Sequence, residues 1–99
     1  MEIYFLTGLS FTGLWLWIVD KNNRIFCAYT DSHVAVLDLA QEKGFGITEP
    51  EVIGGGCFYL SPPHKSVSEL RQGSGDFGKA PDEEREVLVD YFLAEGWSL

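Results

Sequence analysis

Read for apolar and polar positions, the chain divides into five short apolar runs and two stretches of helical period. Ile3 to Val19 carries no charge, yet Gly8, Ser10, Thr12 and Gly13 form a turn cluster at its centre. That cluster splits the run into two strands, EIYFL and LWLWIV, instead of one membrane span, and no basic residue flanks it as an anchor. The opening Met-Glu lacks the positive start of a secretory signal. LWLWIVD, KNNR and IFCAYT then read as a hairpin around an Asn-rich turn. Both faces of Leu14 to Val19 are apolar, which predicts a central strand covered on both sides by helices.

Asp31 or Ser32 can cap a helix from about His33 to Lys43, stopped by Gly44, with Val36, Leu39, Ala40 and Lys43 on the stripe facing the sheet. After a loop containing Pro50, EVIGGGCFYL gives a strand, SPPHK a connection, and Ser66 to Gln72 a weakly patterned strand nearer an edge. The loop GSGDFGKA leads to Pro81 at a first helical position. The acids Asp82, Glu83, Glu84 and Glu86 read as helix-starting residues on a wet face, with a stripe of Val87, Leu88, Tyr91 and Phe92 and a stop at Gly96. The order β-β-β-α-β-β-α predicts a single α+β domain over residues 1–99: a mostly antiparallel, mixed sheet of about five strands packed by two helices.

The least expected stretch is VIGGGCFYL, Val52 to Leu60. Gly54, Gly55 and Gly56 sit inside a buried strand, where each glycine costs roughly 0.5–1 kcal/mol relative to alanine. Bare backbone at that point implies that a helix end or a ligand comes close.

Composition narrows the chemistry. The formal net charge is −8, and the seven Lys and Arg do not cluster, which speaks against a nucleic-acid partner or an anionic membrane. Cys27 and Cys57 are too few for a disulfide framework, so reduced thiols in a cytoplasm are the expectation. Nothing calls for a cofactor, and the wide spacing of Cys27, Cys57, His33 and His64 argues against zinc. Cys57 reads most simply as a small strand hydrophobe, His64 as a solvated loop residue, and Trp15, Trp17, Tyr91 and Phe92 as core, with Trp97 a candidate groove wall.

Three features nevertheless occur in order: a histidine opening a helix (His33), the glycine strand (Gly54, Gly55, Gly56), and the loop GSGDFGKA (Gly73 to Ala80) ahead of a helix. This order resembles the Janus/Ocnus family, the phosphohistidine phosphatases. There a histidine begins the first helix, a GGGR strand follows, and a loop like G-x-S-x-x-[FY]-G-x-A lies after the next strand. The likeness covers roughly Arg24 to Ala80. It implies that His33 is the catalytic base or nucleophile, that Gly73, Ser74 and Gly75 form the phosphate-binding loop, and that Gly54, Gly55, Gly56 and Cys57 line the pocket. Free amides at the first helix's start and in the GSG segment suit an anionic oxygen.

The chain departs from the family where cations are concerned. Cys57 stands where the family has arginine, no lysine lies within LWLWI, Arg24 falls near but not on a family arginine, and Asp76 adds negative charge to the loop. Two readings follow. One is a divergent member that binds a phosphorylated protein or small phosphorylated ligand and hydrolyses it. The other is a non-catalytic binding or protein-interaction module on the same scaffold, left after loss of the cations.

Overall fold

The strand with apolar residues on both faces takes the centre. In the computed structural model, which describes residues 1–73, 77–78 and 82–99, Gly13–Asp20 (β2) lies between Arg24–Ala28 (β3) and Val52–Ser61 (β4). Glu2–Phe5 (β1) adds outside β3 and Ser66–Gln72 (β5) outside β4, giving the five-stranded order β1-β3-β2-β4-β5. Only the β1–β3 pairing is parallel among these strands; the other three are antiparallel. The helices are His33–Glu42 (α1) and Asp82–Ala94 (α2). This single mixed-sheet α+β domain matches the element order legible in the sequence, β5 at the edge included.

Alternation along β2 splits the core in two. Trp15, Trp17 and Val19 join Leu88 and Phe92 of α2 on one face, while Leu16 and Ile18 join Val36, Leu37 and Ala40 of α1 on the other. Each helix therefore closes its own face, and β2 is buried from both sides. The α1 stripe is turned slightly from the predicted one: Leu37 is buried and Lys43 exposed, because the helix seats Val36 and Ala40 deepest. Trp97 is not a groove wall; it packs edge-to-face on Phe92 as part of the α2-side core. No helix of the described residues is long and apolar enough to cross a membrane.

The hairpin turn is built by Asp20, which is fully buried. Its Oδ1 accepts the Asn22 and Arg24 amides and its Oδ2 accepts Arg24 Nε at 2.7 Å, while Asn23 takes the left-handed backbone such a turn requires (φ 61°). Arg24 Nη1 also donates to the Phe45 carbonyl. All of Asp20's charge is thus spent on the turn and on Arg24.

Two bulges interrupt the ladder. Ile53 is the extra residue between the Val19–Gly54 and Asp20–Val52 pairs. In β5, Glu69 and Leu70 together oppose Phe58, with Glu69 left-handed at φ 55°. At the bottom of β5 the Val67 amide bonds the Ser98 carbonyl and the Ser98 amide the Lys65 carbonyl, covering part of that edge.

Candidate functional site

The N-terminal end of α1 is positioned by its cap. Ser32, in extended backbone, accepts the Ala35 amide on its hydroxyl at 3.1 Å, and no acidic residue occupies the first turn. The amides of His33 and Val34 face out of the helix end, as the first donors of any helix do. His33 itself reaches across to the glycine strand: Nε2 lies 2.8 Å from the carbonyl oxygen of Gly56. A carbonyl only accepts, so Nε2 carries a proton, and Nδ1 is the ring nitrogen left for a ligand. The backbone of β4 therefore fixes both the orientation and the tautomer of the imidazole.

The three glycines play different parts. A Cβ on Gly56 would lie 2.2 Å from the Arg71 carbonyl oxygen and 2.5 and 2.6 Å from the Trp17 ring, far inside any allowed contact. What approaches this backbone on the α2 side is thus the protein's own Trp17, its cross-strand partner. On the α1 side the approaching group is the His33 ring. Gly55 holds both described ends of the GSGDFGKA loop: the Gly73 amide donates to its carbonyl at 2.7 Å and its own amide donates to the Gly78 carbonyl at 3.3 Å. Gly54 is buried opposite Val19. The histidine and the loop ends therefore meet β4 at adjacent residues.

Phe77, inside the loop, packs with the α1-side core, on the face where His33 stands. Gly73 takes the left-handed backbone (φ 129°) that starts the loop. Ser74 and Gly75, expected to cradle phosphate, lie outside the described residues, as do Asp76 and Pro81.

Cys57 follows Gly56 and faces α1, partly buried beside Leu16. Burial pushes its thiol above the ordinary value, the nearby Arg71 guanidinium pulls it down, and Glu69 pushes it up. The thiol stays protonated near neutrality, which makes it a poor nucleophile. Cys27 is wholly buried and its thiol is pushed far up by desolvation, as a core residue. Arg24 is committed to Asp20 and Phe45 and is not free for a ligand. His64 is exposed in the short turn Pro62–His64. Among the described residues no three His, Cys, Asp or Glu side chains converge as a metal site would require.

One feature the sequence did not reveal lies elsewhere. Glu84 was expected on a wet face with Glu83 and Glu86, but it is buried to 3% exposure, Oε2 has no hydrogen-bond partner among the described residues, and burial raises its carboxyl above the usual range. The helical period places position 84 one turn before Leu88 on the inward stripe, a signal overridden by the local run of acids. A cleft of about 230 Å³ between β5 and α2 is lined by Val67, Leu70, Arg85, Val89 and Leu99. Val67 and Leu70 belong to the α2-side core, so the cleft opens on the face opposite His33. No protein-family model matches the chain, and no curated protein or solved structure matches it either.

Proposed function

We propose that this chain is a divergent phosphohistidine-phosphatase-like protein that binds the phosphoryl group of a phosphorylated protein or small ligand at the start of α1, in a cytoplasmic setting that keeps both cysteines reduced. The observation that supports the reading is the His33 ring seated on the Gly56 carbonyl, one residue from where both described ends of the GSGDFGKA loop attach. Outward amides at the helix start suit phosphoryl oxygens, and Nδ1 offers a lone pair to the phosphorus or to an attacking water. Hydrolysis would then use His33 as nucleophile or base, with the Ser74 segment as the anion cradle.

A specific observation favours the second reading, a non-catalytic binding module. Arg24 is engaged by a buried carboxylate, and β4 offers Cys57 where a cation would stabilise the charge of phosphoryl transfer. The test is incubation with phosphohistidine and phospholysine peptides, followed by ³¹P NMR. Release of inorganic phosphate by the wild type and its loss in His33→Ala is the enzymatic outcome. Peptide binding without release identifies the module. Turnover undiminished by His33→Ala overturns the role given to His33, and binding of neither peptide overturns the phosphoryl-binding reading and leaves the protein-interaction module.

A further inference from the structure

The site as described lacks a cation on β4, yet the fold brings one to it from the neighbouring strand. Arg71 of β5 pairs directly with Cys57, and directly opposed residues of an antiparallel pair project from the same face, their Cβ atoms about 5 Å apart. Cys57 faces α1 and directly follows Gly56, whose carbonyl holds His33. The Arg71 side chain therefore leaves β5 on the His33 side of the sheet, near enough for its charge to act on the Cys57 thiol.

The bulge is what puts it there. Val67 and Leu70 both pack in the α2-side core, three positions apart, so strict alternation is broken between them. An unbroken strand carrying Val67 inward toward α2 would aim Arg71 the same way. The extra residue at Glu69, held in left-handed backbone, shifts the phase by one and turns Arg71 toward Cys57.

Arg71 is also only weakly held. Its ion pair with Glu69 at 3.3 Å joins two exposed side chains, 69% and 58% accessible, and pairs of that kind hold a side chain weakly. The other described cations stand elsewhere: Lys21 in the hairpin turn, Arg24 on Asp20, Lys43 at the far end of α1, Lys65 beside Gly96, and Arg85 on the Leu70 carbonyl.

We propose that Arg71 is the anion-binding cation of this site, taking phosphoryl oxygens presented to His33 through its planar, forked guanidinium. The inference rests on the phosphoryl-binding reading above and adds to it the residue that would supply the missing positive charge. A guanidinium is suited to two oxygens of one phosphoryl group at once.

The probe is inorganic phosphate, titrated at low ionic strength while amide shifts of the whole chain are recorded. The wild type should show saturable shifts at His33, Val34 and Cys57. Arg71→Gln should weaken that affinity about tenfold or more, as loss of a charge-assisted hydrogen bond does. Glu69→Gln, which frees the guanidinium, should tighten it about twofold. Lys21→Gln removes the same charge at a distance and should leave affinity within about twofold of the wild type. Wild-type binding that survives Arg71→Gln, or that Lys21→Gln weakens equally, overturns the assignment of Arg71 and leaves the phosphoryl-binding reading standing. A wild type that does not respond to phosphate overturns that reading, and this inference with it. A phosphohistidine peptide run beside free phosphate separates the two sources: both lose affinity in Arg71→Gln, and a wild-type affinity for the peptide at least about tenfold above that for free phosphate marks a phosphoprotein as the ligand.

Discussion

Replacing Gly56 with alanine is the sharpest perturbation of the glycine strand. Elsewhere in a strand this change tends to stabilise, by roughly 0.5–1 kcal/mol, because alanine loses less backbone freedom on folding. At Gly56 the new methyl would stand 2.2 Å from the Arg71 carbonyl oxygen and 2.5 Å from the Trp17 ring. The first obstacle is backbone of the adjacent strand and cannot rotate away. The second is a fully buried indole packed among Val19, Phe58 and Leu88 of the α2-side core, so it has no free volume to move into. Overpacking of a filled core costs about 1–3 kcal/mol, and the backbone clash places this case at or above the upper end. After subtracting the intrinsic gain, a net loss of about 2 kcal/mol is expected, which lowers Tm by roughly 10 °C in a domain of this size. Urea and thermal unfolding, with near-UV circular dichroism reporting the Trp17 environment, measure it. An alanine variant as stable as the wild type, with its near-UV signal unchanged, would refute the packing argument.

Further outcomes follow from other buried groups. Asp20→Ala removes one partner of a buried ion pair together with the acceptor of two turn amides, and should cost about 3 kcal/mol, read as a lowered urea midpoint. Glu84 has its folded value raised by burial, so the folded chain keeps a proton that the unfolded chain has already released just above the ordinary glutamate range; stability should fall as pH rises from that range through the raised folded value. Glu84→Gln should therefore stabilise the protein at pH 7 and flatten that slope; a variant less stable at pH 7 with the slope intact would contradict it. Cys57→Arg, introduced together with Arg71→Gln, returns a guanidinium to the same face from the other strand, and should restore much of the phosphate affinity that Arg71→Gln alone loses.

Much of the fold was legible because the apolar pattern is unambiguous where it matters. Leu14 to Val19 is apolar on both faces, and from Trp15 onward the strand is buried on both; of the two cap candidates, Asp31 and Ser32, it is Ser32 that accepts the Ala35 amide. The site was legible in part: the order of His33, the glycines and the loop led to residues that the fold brings to neighbouring positions on β4. What local pattern could not supply was register. Which residue faces Gly56 depends on long-range pairing, so Trp17 as its neighbour was invisible; Trp15, two residues away on the same strand, pairs with Phe58 instead. The phase shift at Glu69 was equally hidden, since nothing in Glu-Leu-Arg announces left-handed backbone at a non-glycine residue. With that shift went the placement of Arg71. Glu84 was misread because helix-starting acids are usually solvated, and here tertiary packing of α2 overrode the local rule.

In the proposed site β4 holds the His33 imidazole through its Nε2 proton and leaves Nδ1 for the phosphoryl group. Long-range ¹H–¹⁵N correlation of the His33 ring during a phosphate titration tests it directly. Nε2 should keep its proton on the Gly56 carbonyl throughout, with the Nδ1 resonance moving saturably as phosphate is added. A ring protonated on Nδ1 alone, or one whose nitrogens ignore phosphate at concentrations that saturate the amides, would contradict it.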